Sequence, residues 1–163
     1  MEQKDVVIIG GGPAGLAAAV ELHKQGIRNM IILEREAMLG GILRQCIHDG
    51  FGLGRFGESL SGPEYAQAFI DEVNKREIPY ETSATVLSLT ADRVVTASTR
   101  SGLRQYQAKA VVLAMGCRER TRGAIAVPGD RPAGVFTAGS AQRYINMEGC
   151  MVGRRVVILG SGD

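Results

Sequence analysis

Gly10, Gly12, Gly15 and Glu34 are the residues of this 163-residue chain whose types and spacing suit chemistry most directly. Gly10-Gly11-Gly12-Pro13-Ala14-Gly15 is a G-x-G-x-x-G run, which lets a phosphate-bearing ligand approach bare backbone. Gly10 permits a tight turn, Gly12 has no side chain to obstruct a pyrophosphate, and Gly15 lets a following helix pack closely on a sheet. Amides at that helix start, with the positive end of the dipole behind them, then face the phosphates. The Glu34 carboxylate suits the 2′- and 3′-hydroxyls of a ribose, each charge-assisted bond contributing about 1.5–3 kcal/mol, and it repels a 2′-phosphate. Cys46 is open to two readings, a redox thiol or a small buried residue. His48 and Asp49 are likewise either an acid–base pair or a loop hydrogen bond. No residue is assigned a catalytic role.

The elements that must position these residues are legible around them. Val6-Val7-Ile8-Ile9 is a continuous apolar run, as expected of a parallel strand buried on both faces. Leu16, Ala19, Val20 and His23 recur at helical spacing, and Gly26 is placed to end that helix. Met30-Ile31-Ile32-Leu33 then delivers Glu34 to a second strand end. The result is a β-α-β unit of the dinucleotide-binding kind.

Beyond Glu34, Arg35-Glu36-Ala37-Met38-Leu39-Gly40-Gly41 adds a glycine pair that a plain NAD-binding unit seldom carries. The glycine run, Glu34 and Gly40-Gly41 together resemble the FAD-binding domain of two-dinucleotide-fold flavoproteins, the pyridine nucleotide-disulfide oxidoreductase superfamily. The resemblance implies FAD as cofactor, held by Gly10, Gly12, Pro13, Ala14, Gly15, Glu34, Arg35, Gly40, Gly41 and Ile42. It implies that the glycine pair passes close to the pyrophosphate and ribityl chain. The implied fold is α/β and Rossmann-like, with helices on one face of a central parallel sheet and an antiparallel β-meander on the other. Disulfide reductases of the superfamily carry a cysteine pair. Here only Cys46 follows the glycines, and the chain is not read as such a reductase.

A second G-x-G-x-x-G starts at Gly52, but no β-branched strand precedes it and no helix opens from its last glycine, so it reads as a decoy. Ser61-Gly62-Pro63-Glu64 reads as a capping box, opening a helix with Tyr65, Phe69 and Val73 on its packed face and ending before Pro79. Thr85 to Leu89, Arg93 to Ser98 and Leu103 to Gln107 read as meander strands, followed by a separate buried parallel strand over Ala110 to Gly116. The resemblance gives Val86 a backbone contact to adenine and places Ala114 and Gly116 beside the cofactor, with Met115 replacing the family's threonine.

Cys117-Arg118-Glu119-Arg120-Thr121-Arg122-Gly123, with Arg131 to Gly139, narrows the resemblance to flavoprotein subunits related to opine oxidase, sarcosine oxidase alpha and hydrogen-cyanide synthase, and to dehydrogenases associated with glycerol-3-phosphate metabolism. The charge run either guides an anionic nucleotide or is a solvated loop. Val156 to Gly162 mirrors Val6 to Gly12, an internal repeat of strand plus first glycines. The expected division is an FAD-binding domain over 1–150 and, at 151–163, the first strand and turn of an NAD(P)-binding domain, with NAD(P) used only in a full-length protein. As an N-terminal piece, the chain is expected to hold FAD weakly, to be inactive alone and to expose a sheet edge.

Composition bounds the rest. The 19 Lys+Arg against 17 Asp+Glu give no reason to invoke nucleic acid, and no apolar run reaches membrane-spanning length. Cys46, Cys117 and Cys150 are widely spaced and suggest neither a disulfide framework nor a metal site, which fits a cytoplasmic compartment. The expected partners are a small-molecule substrate or electron acceptor, and either a second copy or a partner flavoprotein subunit. The expected function is FAD-dependent transfer of electrons between NAD(P)H or a small reduced substrate and flavin. The alternative is a nucleotide-binding or subunit-interaction module without turnover.

Overall fold

The computed structural model describes residues 1–160 and divides the chain into two compact units, Met1–Gly116 and Cys117–Asp163. In the first, β1 (Glu2–Ile9) leads through the glycine run into α1 (Pro13–Lys24) and then β2 (Met30–Leu33). A 3-10 helix (Gly41–Gln45), β3 (Asp49–Phe51), α2 (Leu53–Phe56) and β4 (Leu60–Ser61) precede α3 (Gly62–Lys75). β5 (Tyr80–Glu81), β6 (Thr85–Leu89), β7 (Val94–Thr99) and β8 (Gly102–Leu113) follow.

One six-stranded sheet runs in the order β5-β2-β1-β8-β7-β6, parallel from β5 to β8 and antiparallel from β8 to β6. Successive strand residues point to opposite faces, and both faces of β1 are covered. Val6 and Ile8 join Leu16, Ala19, Val20, Phe69 and Val73 under α1 and α3. Val7 and Ile9 pack instead with Val95, Ala97, Tyr106 and Ala108 of the meander. Helices on one face and meander on the other is the α/β architecture expected.

The meander corrects one expectation. The stretch read as two strands, 103–107 and 110–116, is the single strand β8. It pairs antiparallel with β7 through 102–107 and parallel with β1 as far as Leu113. Beyond that overlap β8 has β1 as its one strand neighbour among the described residues, so its last residues are half-buried or exposed, not enclosed. Leu113 is 59% exposed.

Helix α3 starts as its sequence requires. The Glu64 carboxylate accepts from the Ser61 amide at 2.8 Å and from the Ser61 hydroxyl at 2.7 Å, forming the capping box. At the second glycine motif a short strand, β3, comes first but holds no β-branched residue, one helical turn, α2, lies inside the motif, and no helix opens from its last glycine, Gly57, as expected. The pairing of β3 with β4 supplies that strand with its backbone partners, which local sequence does not reveal.

In the second unit, α4 (Ala138–Asn146) is the regular element, and no described side chain from 117 to 160 is fully buried. Glu119 accepts from the Gly139 amide at 2.7 Å, and the Phe136 and Tyr144 rings meet edge to face at 5.7 Å. Hydrogen bonds from Thr137 and then Gly139 hold the Glu119 carboxyl below its ordinary range. At least Glu119 of the charge run therefore caps a helix. Val156 to Leu159, expected as a strand, is not one: a strand needs a neighbour for its backbone groups, and no described segment pairs with it. Ser161, Gly162 and Asp163, the end of the expected repeat, lie outside the described residues.

Candidate functional site

The end of β1, the start of α1 and the end of β2 converge on one point. Gly10, at φ +110°, turns the chain out of β1. A Cβ on Gly10 would lie 2.2 Å from the Ala114 carbonyl oxygen, and one on Gly15 would lie 1.9 Å from the Gly10 carbonyl oxygen. The turn is thus pressed between the end of β8 and the first turn of α1, leaving no room for side chains there. Gly12 differs: a Cβ there would meet only the Gly41 Cα, at an ordinary 3.8 Å. No contact within the chain therefore requires a glycine at this position.

Helix α1 opens with Pro13 in its first turn, no side-chain cap and no acidic residue. The leading amides, Ala14 and Gly15 among them, have no intrahelical acceptor by helix geometry. Such a start favours an anion.

Beside it sits Glu34, 6% exposed. One carboxylate oxygen accepts from the Gly11 amide at 2.7 Å and the other from the Glu36 amide at 2.8 Å. Each oxygen keeps a further lone pair for a hydroxyl donor. The Gly40 amide donates to the Gly11 carbonyl at 2.8 Å, and Gly41 lies against Gly12, so the glycine pair is fastened to the first turn. The Ala84 amide donates to the Glu34 carbonyl at 2.8 Å, bringing the start of β6 to the same place.

Gly10, Gly12, Gly15, Glu34, Gly40, Gly41 and Ala114 are therefore one cluster, with Pro13 and Ala14 on the opening turn of α1. Val86 stands two residues along β6 from Ala84, half-buried, where the β6–β7 register shifts. Arg35 and Ile42 are exposed, Arg35 lying 3.7 Å from Glu36. Gly116, at φ +70°, is two residues past Ala114. Sequence reasoning missed the Gly11 and Glu36 amides as partners of Glu34. A backbone donor carries no residue-type signal that would have found them.

An anion-binding helix start beside a hydroxyl-accepting carboxylate fits the two ends of a nucleotide diphosphate. The model of the pyridine nucleotide-disulphide oxidoreductase family matches residues 4–163. The chain belongs to that family. An opine oxidase subunit of Agrobacterium tumefaciens (strain Ach5) is 34% identical to it, over 97% of this chain and 32% of that protein. Hydrogen cyanide synthase subunit HcnB of Pseudomonas protegens is 30% identical, over 96% of this chain and 33% of its own length. L-proline dehydrogenase from P. horikoshii shares the fold, with a TM-score of 0.73 at 24% identity, over 94% of this chain and 30% of its own. The chain thus spans about a third of the length of these relatives.

Two further sequence candidates lie past the glycine pair. Cys46 is a free, half-buried thiol at the end of the 3-10 helix, donating to the Ile42 carbonyl at 3.4 Å. His48 Nδ1 lies 3.1 Å from the backbone carbonyl oxygen of Asp49. That is the loop hydrogen bond of the two readings, made to the main chain of its neighbour. No helix of the described residues is long and apolar enough to cross a membrane. Among the same residues no cluster of three metal-ligating side chains occurs.

Proposed function

We propose that the chain is the FAD-binding part of an FAD-dependent oxidoreductase that passes electrons between NAD(P)H or a small reduced substrate and its flavin. The observation that supports this most is the fastening of Gly40 to Gly11 and of Gly11 to Glu34, at 2.8 and 2.7 Å. A second glycine pair against the first turn suits a cofactor that continues past its pyrophosphate. Gly10, Gly12, Pro13, Ala14 and Gly15 hold the pyrophosphate in this reading, and Glu34 the adenosine ribose. Gly40, Gly41 and Ile42 follow the ribityl chain, Val86 lies by the adenine, and Arg35, Ala114 and Gly116 complete the rim. The 2′-phosphate of NADP would meet the Glu34 charge, so FAD suits this site better.

When bound, flavin supplies the two-electron chemistry. The chain's own residues bind and orient it. Opines, sarcosine and L-proline, in the names of relatives, are secondary amines, which favours a small amine as the reduced substrate. Residues 1–150 form the FAD domain in this reading, and 151–163 open an NAD(P) domain. The names of relatives, several of them subunits of larger oxidases, also favour a partner protein.

The test is the visible absorption spectrum of the full-length protein carrying this chain, with and without added FAD, followed by NADH or an amine. Bound flavin that bleaches with either reductant is the expected result. Adenine-nucleotide binding with no flavin uptake would reject it and leave a nucleotide-binding module without turnover.

A further inference from the structure

We propose that Arg44 holds the phosphate of the dinucleotide that lies farther from its adenosine, an inference that rests on the flavoprotein reading above. The 3-10 helix carries this residue to the glycine cluster. Positions three apart lie on one edge of such a helix, so Arg44 shares an edge with Gly41. Gly41 in turn rests on the first turn: a Cβ there would be 2.9 Å from the Gly12 Cα and 3.8 Å from the Pro13 Cδ. Leu43 and Gln45, on either side of Arg44 in the chain, are buried and anchor the helix.

The arginine stem lies on the other glycine of the pair. A Cβ on Gly40 would be 2.9 Å from the Arg44 Cγ and 3.3 Å from its Cδ, so the side chain missing at 40 leaves the space that the stem fills. The Gly40 amide donates to the Gly11 carbonyl at 2.8 Å. Arg44 is thus packed on a residue that is bonded to the glycine turn itself.

Its charged head is uncommitted. The guanidinium donates to the Met38 sulfur at 3.2 Å. A thioether accepts only weakly, and a guanidinium has five N–H donors. Among the described residues no carboxylate pairs with Arg44. The other arginine beside the cluster, Arg35, lies 3.7 Å from the Glu36 carboxylate.

Charge gives the site a use for this head. A dinucleotide brings two phosphate charges to a cluster that already holds the buried Glu34 carboxylate. The start of α1 offers amides and a dipole equivalent to roughly half a positive charge, but its first turn has no cationic side chain. Arg44 adds a full charge and a planar fork whose two parallel donors match phosphate oxygens. The order along the site follows: Glu34 at the ribose, Gly12 at the first phosphate, and Gly41 with Arg44 beyond it at the second. On binding, the head exchanges the Met38 sulfur for phosphate oxygens.

Flavin fluorescence during titration of FAD into the flavin-free full-length protein, with ADP and AMP as competitors, tests the assignment. ADP carries the second phosphate and AMP lacks it. Arg44→Met keeps an apolar stem over Gly40 and removes the head. It is expected to weaken FAD and ADP about ten- to hundredfold, and AMP by less than about twofold. Arg44→Lys, a charge without the fork, should fall between the parent and Arg44→Met. Added salt should narrow the gap between the parent and Arg44→Met. Equal weakening of all three ligands would make Arg44 a structural part of its loop and overturn the assignment, as would unchanged FAD affinity. A parent that takes up no FAD overturns the flavoprotein reading, and the assignment with it, before any variant is made.

Discussion

The carboxylate of Glu34 and the main-chain amide of Gly11 are joined by a buried 2.7 Å hydrogen bond, so the acid proposed to hold a ribose also fixes the turn proposed to hold the phosphates. Its second oxygen accepts from Glu36. Two amide donors thus converge on one side chain. Glu34→Gln turns one acceptor into a donor and leaves one of these amides unmatched. The expected outcome is a loss of about 1–3 kcal/mol in urea unfolding without any cofactor, along with weaker FAD binding. Unchanged stability in the cofactor-free protein would show that Glu34 serves the ribose alone.

Gly12 and Gly15 should separate cofactor binding from folding. A Cβ on Gly15 would sit 1.9 Å from a main-chain oxygen, whereas one on Gly12 meets nothing closer than 3.8 Å. Gly12 also has φ −80°, which any residue adopts. Gly12→Ala is therefore expected to melt close to the parent and to lose FAD, while Gly15→Ala loses both. Thermal melts paired with FAD titrations measure this. A Gly12→Ala protein that binds FAD normally would move the phosphate contact elsewhere.

Tyr106 should give an alkaline signature. It is fully buried, donates to Glu81 at 3.0 Å and lies under the Arg104 guanidinium, 5.7 Å from its ring centre. Burial, reinforced by Glu81, pushes its hydroxyl from the usual 10.0 up to about 12. The folded protein thus keeps a proton that the unfolded chain gives up. The stability this supplies is full below pH 10 and falls as pH rises from there toward 12. Denaturation midpoints across that range should drop less in Tyr106→Phe than in the parent. A tyrosinate absorbance step near 12 should disappear in the same variant.

The capping box predicts an acid-side effect. The Ser61 amide, and then its hydroxyl, hold the Glu64 carboxyl below its usual 4.5. Its contribution is complete above that value and fades as pH falls through the lower folded one. Ser61→Ala should cost about 0.5–2 kcal/mol at neutral pH. Its deficit against the parent should shrink in acid. A deficit constant with pH would break the link between Ser61 and Glu64.

What could be read from the sequence was local. The run from Val6 to Glu34 carries its strand, turn, helix and strand signals within one stretch, and the Ser61–Glu64 box lies within four residues. What could not be read depends on distant neighbours. β8 looks like two strands because its apolar pattern changes where its neighbours change, with β7 beside its first half and β1 beside its second. The Tyr106–Glu81–Arg104 contact joins residues over twenty positions apart, and no spacing announces it. Val156 to Leu159 repeats Val6 to Ile9 almost letter for letter, yet only the first copy is a strand. It has β2 on one side and β8 on the other. In the site, side-chain chemistry pointed to Glu34, while its two amide partners come from Gly11 and Glu36, whose side chains take no part.

The pairing of Glu2 with Tyr106 also governs the order in which the molecule can be assembled. During synthesis β1 and β2 leave the ribosome together, but the open side of β1 waits until nearly the whole first unit has followed. For that interval the apolar Val6–Ile9 end of β1 has a free ladder on one side. Contacts so far apart in sequence slow folding. A nascent chain stalled before β8 should recruit chaperones strongly, and one released just after Leu113 should not.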